Sequence, residues 1–259
     1  MATSDMLCLA NSPKENARCI AGIDLVTRRF VRPIAVGGQS IPNDWAQVDG
    51  EAVKPLDVIR IPFARGDAVV PYQAENRYCT QEWERLGRWK PSDVRRLCES
   101  DDKLLGTTDS DAIPERVFKL QPHGRSCWKS LQLIHAPKVI FEQANDKWTG
   151  RFRTSIGRDY ELRVTDEGFT DSLTSSVEGP CVLLLSLTRP WKHYLSPKDK
   201  PKKCYKLIAG VMPLEPVQAS EDQPTAISAG GRRDLSRRQA TLPRHPPRRA
   251  GPGRCRRSW

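Results

Sequence analysis

The chain has 259 residues and a formal net charge of +11, with 38% hydrophobic and 28% charged residues, long enough for one large domain or two small ones with modest cores. Its purely apolar runs, such as Cys181 to Leu185, are far shorter than the ~20 residues that span a bilayer, which excludes a transmembrane helix. The opening MATSDMLCLANSPK has neither a basic leader nor an apolar run long enough for a signal peptide, so a cytoplasmic protein with no membrane partner is expected.

The first elements are read from CLANSPKENARCIAGID, Cys8 to Asp24: an apolar strand, a polar break, and a second apolar strand reopened by Arg18. The break, with Asn11, Ser12, Pro13, Lys14 and Asn16, is either an ordinary turn built from turn-forming residues or a set of donors for phosphate and base edges. Next comes TRRFVRPIA, Thr27 to Ala35. As a strand it projects Arg28, Phe30 and Arg32 on one face and Arg29 and Val31 on the other. Either these arginines grip phosphate while Phe30 stacks, or Phe30 is core and the arginines pair with acids; the residues leave both open. Leu56 to Phe63 reads as a further strand.

The middle of the chain is expected to be helical. Thr80 caps a helix over Gln81 to Leu86 that stops at Gly87, and Ser92 caps a second over Asp93 to Glu99 after Pro91. The Asp- and Ser-rich segment from Glu99 to Ser110 reads as a loop. Strands then return at Leu131 to His135, Lys138 to Gln143, Trp148 to Thr154, Asp159 to Thr165, Cys181 to Thr188 and Cys204 to Met212. Asp159 to Thr165 alternates, as a strand with one wet face does, whereas Cys181 to Leu187 is apolar almost throughout, as a strand covered on both faces would be. RCIAGID and CYKLIAGVM share Ile-Ala-Gly, a weak hint of a duplicated unit.

Between the last two apolar strands lies TRPWKHYLSPKDKPKKCYKL, Thr188 to Leu207, expected as the long loop of a hairpin. It carries Arg189, Lys192, Lys198, Lys200, Lys202, Lys203 and Lys206 among Trp191, His193, Tyr194 and Tyr205, against the single acid Asp199. Cations neutralise phosphates and aromatic faces stack on bases, a mixture suited to single-stranded nucleic acid. The rival reading is a solvated hairpin tip whose lysines keep an edge from aggregating. After Leu214 the composition turns to Pro, Arg, Ser, Gly and Ala, and Val217 to Trp259 carries ten arginines against Glu221, Asp222 and Asp234, +7 of the +11. Such a segment cannot bury enough apolar surface to offset its ordering entropy, and disorder is expected from about Glu215.

Signals for catalysis are thin. The histidines lack metal-type spacing, no phosphate loop or nucleophile elbow is present, and the eight cysteines form no C-x-x-C pair. No catalytic residue, metal or cofactor is therefore assigned. Reduced thiols packed as small hydrophobes are expected. Glu75 and Asp166-Glu167 are candidate general bases, although lone carboxylates near turns commonly cap them. Trp45, Trp83, Trp89, Trp128 and Trp148 read as packing anchors.

Taken as an ordered set, CLANSPKENARCIAGID, FVRPIA, LDVIRIPF, PYQAENRY, YELRVTD and LLLSLTRPW…CYKLIAGVM resemble the dual OB-containing domain family of bacterial conflict systems, over about Met6 to Leu214. The resemblance implies two tandem OB-like β-barrels; combined with the residue reading, this gives a mainly β protein with barrels at 1–79 and 129–215, a helical connector at 80–128 and, outside the resemblance, a disordered basic tail at 216–259. The resemblance also implies nucleic-acid binding through barrel faces and long loops, and brings no established catalytic activity. The residues expected to contact DNA or RNA are Lys14, Arg18, Arg29, Arg32, Arg189, Trp191, Lys192, Tyr194, Lys202, Lys203 and Tyr205. The function expected from these residues and this resemblance is a sensor of single-stranded nucleic acid in a defence system. Its rivals are an enzyme acting on nucleotides or nucleic acid, and an adaptor that docks a protein effector.

Overall fold

The computed structural model describes residues 2–14, 16–38, 40–67, 70, 72–107, 111–119, 129–192, 197 and 200–219. In the first half, β1 (Ala2–Lys14), β2 (Ala17–Asp24) and β3 (Phe30–Ala35) are followed by three two-residue strands, β4 (Ile41–Pro42), β5 (Gln47–Val48) and β6 (Glu51–Ala52), and then by β7 (Asp57–Asp67) and β8 (Asn76–Cys79). β1 pairs with β2, β2 with β3, β3 in parallel with β8, β8 with β7, and β7 returns to β1. These five ladders close a ring, the arrangement of a small Greek-key barrel. Met6, Cys8, Ile20, Val31, Ile59, Ile61 and Phe63 fill its interior.

After this barrel come β9 (Glu84–Arg88), α1 (Pro91–Arg95), β10 (Ala112–Pro114) and α2 (Glu115–Lys119). The helix expected over Gln81 to Leu86 is in fact an edge strand: β9 pairs with β7, and Arg85 and Arg88 reach the buried Asp57 carboxylate at 3.4 and 2.6 Å. This long-range charge pairing, together with the open ladder of β7, outweighs a weak local helical preference. The second helix starts earlier and ends sooner than expected. Lys90 stands at its N-cap and Pro91 opens it, because proline's fixed φ and missing N–H suit the first helical position.

The second half contains β11 (Leu131–Ala144), β12 (Lys147–Arg153), β13 (Asp159–Arg163), α3 (Glu167–Thr170), β14 (Val177–Leu187), β15 (Lys203–Pro213) and β16 (Gln218–Ala219). The two strands expected within 131–143 are one, bent by a bulge between Ala136 and Val139. β11 and β12 are joined through Asn145 and Asp146, both at positive φ as a two-residue hairpin turn requires. The sheet runs β10-β15-β14-β11-β12-β13 and curls until Val164, just past β13, forms a parallel bridge with Ile208 of β15. This half therefore repeats the five-strand succession of the first with a thinner closure. β16 pairs with β14, so strand pairing continues past Glu215, where disorder was expected to begin; residues 220–259 lie outside the described set.

The two halves share a core. Inward residues of β1, Met6 and Cys8, belong to the first barrel, while Leu7 and Leu9 point the other way and join Leu131, Leu133, Val182, Leu184 and Met212 in a middle cluster. β14 is covered in the same way, with Leu183, Leu185 and Leu187 in the second interior and Val182 and Leu184 in the middle cluster. Burial on both faces explains why both strands read as unbroken apolar runs. The shared Ile-Ala-Gly is not a repeat, since it falls on the second strand of one half and the last strand of the other. Its glycine nevertheless answers the same need twice: a Cβ on Gly22 would strike the Leu7 carbonyl, and one on Gly210 the Leu9 carbonyl, so β1 is approached closely from both sides. No helix among the described residues is long and apolar enough to cross a membrane.

Candidate nucleic-acid interface

The polar break in the opening stretch is not a loop. β1 and β2 stay paired through Asn11↔Ile20, Ser12↔Cys19, Pro13↔Arg18 and Lys14↔Ala17. Asn11 donates its side-chain amide to the Val53 carbonyl at 2.6 Å, and Ser12 donates its hydroxyl to the Ala209 carbonyl at 3.1 Å, so both are stitched into the fold. Lys14 stands at the hairpin end. Arg18 faces Glu167 of α3 at 3.8 Å, and this ion pair spends part of its charge.

The arginine face expected on 28–32 is broken up. Arg28 has φ of 60° in the turn before β3, Arg29 is exposed in the same turn, and Phe30 packs against the middle cluster. Arg32 turns inward and is only 4% exposed. Its Nη2 donates to the Ser130 and Ser186 hydroxyls, each at 3.2 Å, and its Nη1 lies 3.9 Å from the Cys19 sulfur. Its Nε has no hydrogen-bond partner, and no carboxylate among the described residues pairs with it. A guanidinium buried against two hydroxyls and a thiol, with no carboxylate, is incompletely compensated.

Arg32 lies in the wall of a cleft of about 420 Å³ between the two halves. The first half lends Ser12 and Lys14 at the β1 end, Cys19 of β2, Arg32 of β3 and Gln73 from the β7–β8 connection. The second half lends Thr165, the end of β14 at Ser186 to Thr188, and Arg189 and Trp191 from the β14–β15 connection. The described lining holds three cations and no carboxylate. Trp191 is 52% exposed, yet it is held in place: its backbone exchanges two 2.9 Å bonds with Lys203, and its ring meets Tyr205 edge-on at 5.9 Å. Tyr205 lines a neighbouring hollow of about 360 Å³ that shares Trp191 and includes Asp111, Glu161 and Arg163.

Four of the expected residues, Lys14, Arg32, Arg189 and Trp191, thus converge on one cleft, with Tyr205 against the far side of the indole. Arg18, Arg29, Lys192, Lys202 and Lys203 are absent from the described lining, and Tyr194 lies outside the described residues. Lys206 is no surface cation: it is 2% exposed and donates to the Thr107 carbonyl at 3.3 Å, over the Tyr160 ring. Ser12, one of the donors expected in the opening polar break, also lines the cleft, whereas Cys19, Gln73, Thr165 and Ser186 escaped the sequence reading. Only Ser186 left a signal, as a lone hydroxyl within an apolar run.

Of the candidate bases, Glu167 faces Arg18, and Glu75 and Asp166 are hydrogen-bonded into the fold. The Glu75 carboxylate accepts from the Ser130 and Leu131 amides at 2.6 and 3.2 Å and from the Ser130 hydroxyl at 2.7 Å, pinning the start of β11 to the first half. Asp166 caps α3 through the Phe169 amide at 3.2 Å and accepts from the Val211 amide at 2.8 Å, while burial raises its pKa. Burial likewise pushes the Cys79, Cys181 and Cys204 thiols up to about 12. Trp45 and Trp83 pack on the first interior, Trp89 on the middle cluster and Trp148 on the second interior.

The model of the dual OB-containing domain family matches residues 4–211, and the chain belongs to that family. No curated protein and no solved structure matches the chain.

Proposed function

We propose that this protein is a non-enzymatic nucleic-acid-binding module that takes single-stranded DNA or RNA into the cleft between its two halves and serves as a recognition element in a bacterial defence system. The observation that carries the binding reading is the cleft's chemistry: Lys14, Arg32 and Arg189 around it, no carboxylate in its described lining, and a half-exposed indole at its mouth. OB barrels commonly meet oligonucleotides on the second and third strands and the loops beside them, where Cys19, Arg32 and Gln73 stand in the first half. The defence setting rests on the family resemblance alone.

The test is titration of labelled oligonucleotides at two salt concentrations against the full chain and a chain ended after Gln223. Binding by both, falling steeply with salt, is the expected result. Loss of all binding from the shortened chain would assign the activity to the arginine-rich tail and remove the cleft from the account.

A further inference from the structure

We propose that the cleft recognises a terminal phosphomonoester, the phosphate at the end of a strand or on a free mononucleotide, with Arg32 as its deep anchor. This inference rests on the reading of the cleft as a nucleic-acid interface and specifies what that interface selects.

The Arg32 guanidinium lies between Cys19 and Ser186, both of which line the cleft, so it forms part of the cleft wall although the residue is 4% exposed. Its Nε donor is unspent, and the nearest carboxylate in its network, that of Glu75, stands behind the Ser130 hydroxyl and is itself engaged by three donors. An arginine placed this deep cannot meet a phosphodiester that passes along the surface with chain on both sides. A group that protrudes from a strand end reaches it.

A terminal phosphate also suits the charge. It carries about −1.5 to −2 at neutral pH and three strong acceptor oxygens, more than a phosphodiester offers, and by displacing the Ser186 hydroxyl it would take two parallel bonds from the Arg32 fork, Nε–H and Nη2–H. The cleft's volume of about 420 Å³ lies near the lower end of the ~300–1,000 Å³ usual for small-molecule pockets, room for one nucleotide rather than several. Lys14 and Arg189 add charge to the lining, and Trp191 offers a stacking face for the terminal base.

The test compares, on the full chain, one short oligonucleotide bearing a 5′-phosphate, a 3′-phosphate or hydroxyls at both ends, together with the free mononucleotide. One phosphorylated end is expected to bind about tenfold tighter than the hydroxyl-ended strand. Arg32→Lys, which keeps the charge but loses the fork, should shrink that ratio, with a melting curve confirming a folded variant. Equal affinity for all three strands overturns the inference and leaves the cleft as a strand-binding groove. Binding of the mononucleotide but of no strand supports the phosphomonoester site and overturns the strand reading, and failure of every probe overturns both.

Discussion

The two halves follow one strand succession but finish it differently. The first barrel closes through a parallel ladder of four residue pairs, Arg32↔Asn76 to Ala35↔Cys79. The second closes through one parallel bridge, Val164↔Ile208, and its short helix packs Phe169 on Phe141 with ring centroids 4.7 Å apart. The cleft lies at this weaker seam: Thr165 beside Val164, and Leu207 and Ala209 beside Ile208, all line it. Across the seam lies the β1–β2 hairpin of the first barrel, with Ser12 bonded to the Ala209 carbonyl. A barrel completed by its own ladder offers no such opening, whereas one completed with a neighbour's help leaves a polar recess at the join.

The sharpest way to break this arrangement is Gly210→Val. A side chain there meets the Leu9 carbonyl, so the variant is expected to lose about 3 kcal/mol or more, and denaturant unfolding should lose its single transition as the halves come apart. Glu75→Ala strikes the same join from the other side. It strips a carboxylate from three donors, with an expected loss of about 2–3 kcal/mol in the same assay. Trp191→Ala should leave stability near that of the unaltered chain and weaken oligonucleotide binding roughly tenfold, as stacking of ~1–3 kcal/mol per base implies.

The smallest effect separates the halves by pH. Burial works against ionisation of Asp24 in the first barrel, but the Ser4 and Thr27 hydroxyls and the Thr27 and Val26 amides outweigh it and hold the carboxyl below its ordinary pKa. Its contribution is therefore present above the unfolded value and lost as pH falls through the depressed one. Asp166 in the second half has the opposite sign. Burial raises its pKa, so its contribution is present below the unfolded value and lost as pH rises through the raised one. Asp24→Asn should flatten the acid limb of a stability profile; an unchanged limb would show that the acid sensitivity lies elsewhere.

Local chemistry was enough to place most strands, the two-sided burial of Cys181 to Leu187, and a loop in which Arg189 and Trp191 stand two residues apart between apolar strands. Alternation, apolar runs and turn residues report on a strand's own surroundings, and those can be read from the residues in order. The edge strand Glu84–Arg88, the inward turn of Arg32 and the use of Asn11 and Ser12 as stitches depended on partners far along the chain: Asp57, Ser186, Val53 and Ala209. So did the cleft, whose walls come from both halves. A pattern within one strand does not specify which distant carbonyl or hydroxyl its polar side chain will meet, because that is settled only when two separately patterned surfaces pack together.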